Sequence, residues 1–166
     1  MCSNARWETE LPIDLQTEME LNRLVHHSAR FLDDHDFDAY LQLFADPAEY
    51  LICVTAPELP QPMIWMQQTI QQLSERITAM KQHEWEIARL EQTRLVALDT
   101  LSHDGQLAHT SSSFALYHTD QAGRSACYAV GRYEDSWQHF AGRWLLSKRQ
   151  VILKTRLLDR LSPLPV

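Results

Sequence analysis

Eight histidines are the residues of this chain that could most readily bind a metal ion. His26 and His27 are adjacent and would project roughly 100° apart on a helix, so they cannot readily share one ion. The sequence contains neither HxxxH nor HExxH, and its three cysteines are scattered without a CxxC pair. Its four glycines do not cluster, which argues against a phosphate-cradling loop. We therefore predict that the chain binds no metal and no cofactor.

Acid–base catalysis in a buried pocket is the alternative that the residue types leave open. Such a pocket would combine an Asp or His with one or two Tyr residues, whose pKa values burial tunes. Packing in the core is a non-catalytic explanation for Tyr40. Asp46 precedes a proline, and Asp is favoured in such turns without any catalytic role. A working pocket requires that several candidates converge on one cavity. The candidates are Tyr50, His83, Asp46 and His109, with Tyr40 and Tyr128 as further hydroxyl groups.

The first third of the chain carries helical periodicity. Apolar residues recur at helical spacing over residues 15–32, and Thr17 could cap this helix. Asp36 can cap a second, short helix with Phe and Tyr on one face. Asp46-Pro47 is predicted to end that helix, because the residue before proline disfavours the α region.

A strand, a loop and a third helix are predicted next. Residues 49–54 have the composition of a strand, and residues 56–62 form a proline-rich loop that no regular element can absorb. The third helix is predicted from an apolar seam at helical spacing. The seam consists of Met66, Ile70, Leu73, Ile77 and Met80.

The remainder of the chain, after about residue 86, is typical of strands joined by tight turns. The turns are predicted at Asp104-Gly105, Ala122-Gly123 and Ala141-Gly142. They predict three successive hairpins and a long, curved antiparallel sheet. The predicted strands are residues 93–101, 106–118, 125–140 and 143–155.

Helices followed by a strand meander predict an α+β fold. A curved sheet wrapped around helices forms a cone, which is the architecture of the NTF2-like superfold. We expect an N-terminal arm at residues 1–14 and a single domain over residues 15–166, because no repeat or linker divides the chain. Enzymes, binding modules and scaffolds share this superfold, so function must be inferred from particular sites.

Charge and composition narrow the classes of partner. The 166 residues carry 22 acidic and 15 basic side chains, for a net charge of −7, with no basic block. Binding to nucleic acid or to an anionic membrane surface would need clustered Lys and Arg. No apolar stretch is long enough to span a membrane, and no secretory signal is present at the start. We expect a cytoplasmic protein that binds neither nucleic acid nor membrane.

Two tryptophans are the strongest candidates for contact with another protein. Trp65 follows the proline-rich loop, and Trp137 is surrounded by polar strand residues. Exposed aromatic residues are favoured anchors at protein interfaces. A position at the edge of the core is the alternative for Trp137. We predict Trp65, Trp137 and Arg156 as interface residues, the last within a C-terminal segment, residues 155–166.

Several segments carry a family pattern whose order and spacing agree over residues 15–159. The run FLDDHDFDAYLQLFAD at residues 31–46 joins two helices through an acidic turn, and Tyr50 follows it. Further segments are TRLV at residues 93–96, VGRYED at 130–135, GRWLL at 142–146 and RQV at 149–151. Together they resemble the small (beta) subunits of Rieske non-heme iron ring-hydroxylating oxygenases. The loop around residues 55–65 is most similar to the terephthalate dioxygenase and methanesulfonate monooxygenase branch.

The resemblance implies a non-catalytic, structural role. In this family the large alpha subunit holds a Rieske [2Fe–2S] cluster, with two Cys and two His ligands, and a mononuclear iron with two His and a carboxylate. The beta subunit contributes no catalytic residue and no cofactor ligand. Three copies are expected to form a homotrimer within an α3β3 assembly. The resemblance thus implies a beta subunit that stabilises an oxygenase for catabolism of an aromatic compound or small organic acid.

A stand-alone isomerase or dehydratase with a cone fold is the main alternative. It predicts that Tyr50, His83 and Asp46 converge on one open, partly apolar cavity. A cavity filled by large side chains would argue against it. A non-enzymatic cone that binds a small ligand is the third possibility, and it would show the pocket without the acid or base.

Overall fold

The computed structural model describes residues 14–82, 91–157 and 165. Within these residues the helices are α1 (Leu15–Asp33), α2 (Phe37–Leu41) and α3 (Ile70–Lys81). The strands are β1 (Phe44–Val54), β2 (Met63–Thr69), β3 (Glu91–His103), β4 (Leu107–Thr119), β5 (Ser125–Phe140) and β6 (Arg143–Leu153).

The strands form one sheet in the order β2-β1-β6-β5-β4-β3. Neighbouring strands are antiparallel except for β1 and β6, which are parallel. Helix α1 packs on β3, and α3 packs on β1. The predicted α+β fold, with helices on a long and mostly antiparallel sheet, is confirmed. The N-terminal arm predicted at residues 1–14 lies outside the described residues except for Asp14.

The three predicted hairpins are present and connect β3 to β4, β4 to β5 and β5 to β6. Their turns place Gly105, Gly123 and Gly142 at positive φ. Glycine adopts this conformation without the steric cost that other residues pay. The glycine-containing turn sequences therefore predicted the positions of these connections correctly.

The start of α1 and the end of α2 differ from the prediction. Asp14, not Thr17, is the N-cap of α1, and its carboxylate accepts from the backbone N–H of Gln16 at 3.2 Å. Asp36 caps α2 as predicted, but α2 ends at Leu41. The prediction that Asp46-Pro47 ends this helix is wrong, because both residues lie inside β1, whose pairing with β6 already begins near its first residue.

The predicted third helix is two elements. Residues Met63–Thr69 form β2, which pairs with β1, and the helix begins only at Ile70. Thr69 is the N-cap and forms a reciprocal capping box with Gln72, which satisfies free N–H groups at the helix start. Met66 faces Ile52 across the β1–β2 pair and so belongs to the sheet, not to the helical seam.

A glycine in β5 permits close packing around the sheet. A Cβ atom at Gly131 would collide with the carbonyl oxygen of Ile152 and would lie 2.9 Å from the ring of Phe114. That ring stacks on Tyr133 with 4.3 Å between ring centroids. Gly131 therefore lets β6 and an aromatic pair approach the same point of β5.

Candidate functional site

The interior of the cone holds a buried guanidinium group, that of Arg149 on β6. Its Nε donates to Asp135 Oδ1 at 2.8 Å and its Nη2 to Asp135 Oδ2 at 2.7 Å, so the ion pair is bidentate. Nη2 also donates to Ser28 Oγ at 3.0 Å, and Nη1 lies 3.4 Å from the Tyr40 hydroxyl. The Tyr133 ring centroid is 4.7 Å from the guanidinium carbon. We call these five residues the Arg149 cluster; each is buried.

Strand register and helix packing assemble the Arg149 cluster. Asp135 on β5 is the direct neighbour of Arg149 on β6. Alternation along β5 puts Tyr133 and Asp135 on the same face of the sheet, which is the buried face. Ser28 reaches the guanidinium from α1 while its hydroxyl donates to the carbonyl of Val25 at 2.7 Å. The hydroxyl oxygen of Ser28 is therefore oriented to accept from Arg149.

Burial and charge keep Arg149 and the two tyrosines of the Arg149 cluster in one protonation state each. Burial alone would lower the pKa of Arg149, but the charge and hydrogen bonds of Asp135 hold it well above its usual range. Burial raises the pKa of Tyr133 to about 12 and also raises that of Tyr40. These phenols and the guanidinium do not exchange protons near neutral pH. The cluster is suited to joining α1 to the sheet, not to acid–base catalysis.

The predicted acid–base residues lie in separate environments. Tyr50 is fully buried, and burial raises its pKa. Asp46 is exposed, and its Oδ1 accepts from Gln71 Nε2 at 2.6 Å. His109 is exposed on β4, with Nδ1 3.3 Å from Ser136 Oγ. His83 lies outside the described residues. The described candidates are thus not brought together in one cavity.

A cleft of about 500 Å³ lies between residues of α1 and Leu98 of β3. It contains none of the predicted acid–base residues. Among the described residues, no group of three or more His, Cys, Asp and Glu is arranged to hold a metal ion. The same part of the chain has no helix long and apolar enough to cross a membrane. The cleft is lined by Glu18, Met19, Asn22, Arg23, His26, His27 and Leu98.

Comparison with known protein families identifies the family of this chain. Residues 27–160 match the family model described as ring hydroxylating beta subunit, which is most of the chain. The chain belongs to this family of beta subunits. The resemblance predicted from the strand and helix segments is therefore confirmed.

Two characterised relatives are subunits of sulfonate oxygenases. The beta subunit of 2-aminobenzenesulfonate 2,3-dioxygenase from Alcaligenes sp. is 25% identical over 85% of this chain and 93% of its own. The beta subunit of methanesulfonate monooxygenase hydroxylase from Methylosulfonomonas methylovora is 25% identical over 86% and 83%.

A solved structure supports the fold. A beta subunit assigned to an aromatic-ring-hydroxylating dioxygenase of Novosphingobium aromaticivorans superimposes with a TM-score of 0.73 at 18% identity. The match covers 89% of this chain and 94% of that chain. The predicted NTF2-like cone is confirmed.

Trp137 of this beta subunit lies in the core, and the expectation that it is an exposed anchor is wrong. Its side chain is 0% exposed, and its Nε1 donates to Thr110 Oγ1 at 2.9 Å. Trp137 is two residues from Asp135, so both side chains point to the buried face. Because Asp135 is a charged residue, the sequence did not indicate that this face of β5 is buried. The signal that could have revealed it is the alternation from Tyr133 through Asp135 to Trp137.

The other two predicted interface residues lie at the surface. Trp65 is 38% exposed on β2. Arg156 is exposed and forms an ion pair with Glu58 at 3.0 Å, with both side chains more than half exposed. An exposed pair of this kind contributes little to stability. Both remain predicted interface residues.

An apolar patch surrounds Trp65 at one edge of the sheet. Strand β2 is an edge strand, and its sequence MIWMQQT contains neither a charged residue nor a proline. Soluble proteins usually protect such edges with charges, prolines or a covering segment. A surface of this kind is therefore suited to burial against a partner. The exposed apolar residues, which we call the β2 patch, are Leu59, Met63, Ile64 and Trp65.

A second polar cluster lies at the start of β3. Arg94 Nη2 donates to Gln92 Oε1 at 3.2 Å, so the amide nitrogen of Gln92 faces His118 Nε2 at 3.1 Å. That histidine nitrogen must accept the hydrogen bond, which requires a neutral imidazole with its proton on Nδ1. His118 also stacks on Tyr128, with 4.0 Å between ring centroids. Burial and the nearby charge of Arg94 lower the pKa of His118.

We expect His118 to make the folded chain less stable in mild acid. Its pKa is lowered from 6.5 on folding, so below about pH 6.5 the unfolded chain binds a proton that the folded chain does not. The free energy of unfolding should therefore fall as the pH drops from 6.5 towards the lowered pKa of the folded state. Urea titrations at several pH values would measure this. The variant His118→Gln should show a weaker pH dependence; an unchanged dependence would contradict the prediction.

Proposed function

We propose that this chain is the structural, non-catalytic beta subunit of a multicomponent Rieske-type oxygenase. Its family membership supports this role. The observation that carries the proposal is the Arg149 cluster, which places a bidentate ion pair and two tyrosine rings in the buried interior of the cone. A cone-fold enzyme needs that space for its substrate and for a group that changes protonation. The acid–base alternative has no comparable support.

The proposed partner is a large alpha subunit that holds the Rieske [2Fe–2S] cluster and the mononuclear iron. A stable subunit interface normally buries more than about 1,000 Å² in total. The β2 patch supplies exposed apolar and aromatic surface at a strand edge, which favours it as part of the contact with the alpha subunit. Trp65 is the proposed anchor, because aromatic residues dominate interface energetics.

We propose a homotrimer of this chain within an α3β3 assembly located in the cytoplasm. Cys53 and Cys127 are both free thiols, which suits a reducing compartment. The net charge of −7 favours a soluble protein partner over nucleic acid or an anionic membrane.

The proposed substrate of the assembly is an aromatic compound or a small organic acid. Both characterised relatives are named as subunits of oxygenases that act on sulfonates, one aromatic and one aliphatic. An organosulfonate is therefore the first substrate class to test. The alpha subunit, which holds the iron, would select the substrate and the type of oxygenation.

Separation of the purified assembly into its subunits tests the proposed division of labour. Iron content, absorption spectrum and oxygenase activity would be measured for each fraction and after recombination. We expect all iron in the alpha fraction and none in this chain, with full activity only after recombination. Iron bound to this chain, or substrate turnover by this chain alone, would overturn the proposal.

A further inference from the structure

Arg94 on β3 joins three segments that are distant in the sequence. Its Nη1 forms an ion pair with Asp33 at the end of α1, and its Nη2 donates to Gln92 Oε1. Nη2 also donates to the backbone carbonyl of Pro165 at 2.7 Å. The Arg94 side chain is 0% exposed and Pro165 is buried. A buried guanidinium requires acceptors, so the carbonyl of Pro165 is one of its necessary partners.

The neighbouring groups limit the hydrogen-bond acceptors that are open to the N–H groups of Arg94. Among the described residues, its Nε has no hydrogen-bond partner. Loss of the Pro165 carbonyl would therefore leave a second buried N–H group unpaired. Gln92 cannot replace the carbonyl, because its oxygen already accepts from Nη2 and its nitrogen faces His118.

The backbone of Arg94 forms a hydrogen bond at one edge of the sheet. Strand β3 is the edge opposite β2, and the backbone N–H of Arg94 donates to Asp33 Oδ2 at 2.8 Å. This donor would otherwise be open to another strand. The two edges thus differ: β3 is tied to α1 and to Pro165 at this point, whereas β2 presents the exposed apolar patch.

We propose that Asp33, Gln92 and Arg94 form an intrachain binding site for a backbone carbonyl group, and that residue 165 is its ligand. Binding joins residue 165 to α1 and β3, and Asp33, which pairs with Arg94, covers the Arg94 backbone N–H at the β3 edge. Pairing with other chains is thereby directed away from this point of β3. The inference is independent of the oxygenase function proposed above.

Photo-crosslinking in the full chain tests this site. Replacement of Pro165 by p-benzoylphenylalanine keeps the backbone carbonyl and adds a short-range probe. Illumination should yield an intrachain crosslink to the segment that contains Asp33 or to the segment that contains residues 92–94, identified by mass spectrometry. The same probe at Leu157, which is 89% exposed, is the control and should give no crosslink to either segment. A crosslink elsewhere, one only between copies, or none would overturn the proposal.

The variant Arg94→Lys tests the guanidinium itself. Lysine keeps the charge but lacks the planar fork that serves Asp33, Gln92 and residue 165 at once. The intrachain crosslink from position 165 should fall about ten-fold or more, as expected for the loss of one hydrogen bond to a charged group. An unchanged yield would show that Arg94 does not hold residue 165. Because the first experiment retains Arg94, it decides the question even if this variant fails to fold.

Discussion

Replacement of Arg149 by methionine is expected to lower the free energy of unfolding by about 3–5 kcal/mol, because removing one partner leaves the other buried charge uncompensated. Asp135 is 2% exposed, and it would lose both of its hydrogen bonds from Arg149. Ser28 would also lose its contact with β6. Chemical denaturation monitored by circular dichroism would measure the loss.

A double variant and a surface control distinguish this effect from general damage. Arg149→Met combined with Asp135→Leu removes both buried charges and should recover most of the lost stability. Lys148→Met removes the partly exposed ion pair with Glu49 and should cost less than about 1 kcal/mol. If Arg149→Met costs no more than Lys148→Met, the Arg149 cluster does not stabilise the interior as described.

Replacement of Trp65 by aspartate is expected to weaken binding to the alpha subunit by about 2 kcal/mol or more, roughly thirty-fold. The change removes an aromatic anchor from the β2 patch and places a charge in a surface that assembly would desolvate. Trp65 is 38% exposed in the free chain, so part of its ring is buried there, and chemical denaturation of the isolated variant must separate a loss of chain stability from a loss of affinity. Titration of purified subunits, followed by size-exclusion chromatography, would measure the affinity.

The matched control lies on the opposite edge strand. Leu95 on β3 is 60% exposed, so Leu95→Asp adds the same charge to an exposed apolar position away from the β2 patch. This variant should assemble like the unmodified chain. Equal affinity for Trp65→Asp and the unmodified chain would remove the β2 patch from the interface, and a loss confined to Leu95→Asp would place the interface on β3.

Local signals in the sequence were sufficient for much of the fold. The hairpins follow from glycine-containing turns, and the start of α2 follows from the carboxylate of Asp36. Each signal acts within a few residues and needs no knowledge of the tertiary structure. Strand β2 was missed because an edge strand with exposed apolar residues lacks the alternation of a half-buried strand. The capping box at Thr69 was the local signal that could have located the true start of α3.

The contents of the cone interior depend on tertiary structure. Arg149 and Asp135 are 14 residues apart on different strands, and only the β5–β6 register makes them neighbours. Ser28 comes from a helix 121 residues away. Sequence patterns assign charged residues to the surface. Asp135 is buried, so Trp137, which shares its face of β5, was wrongly predicted to be exposed. Family resemblance, in contrast, depends on the order of segments and could be recognised without these contacts.

The most direct test of the proposed function is to tag this chain in its native host, purify it gently, and measure partner masses and iron content. A structural beta subunit should co-purify with a larger subunit in equal amounts, and the complex should contain iron and show Rieske [2Fe–2S] absorption. Recovery of this chain alone, free of iron and without a larger partner, while oxygenase activity remains in the unbound fraction, would contradict the account.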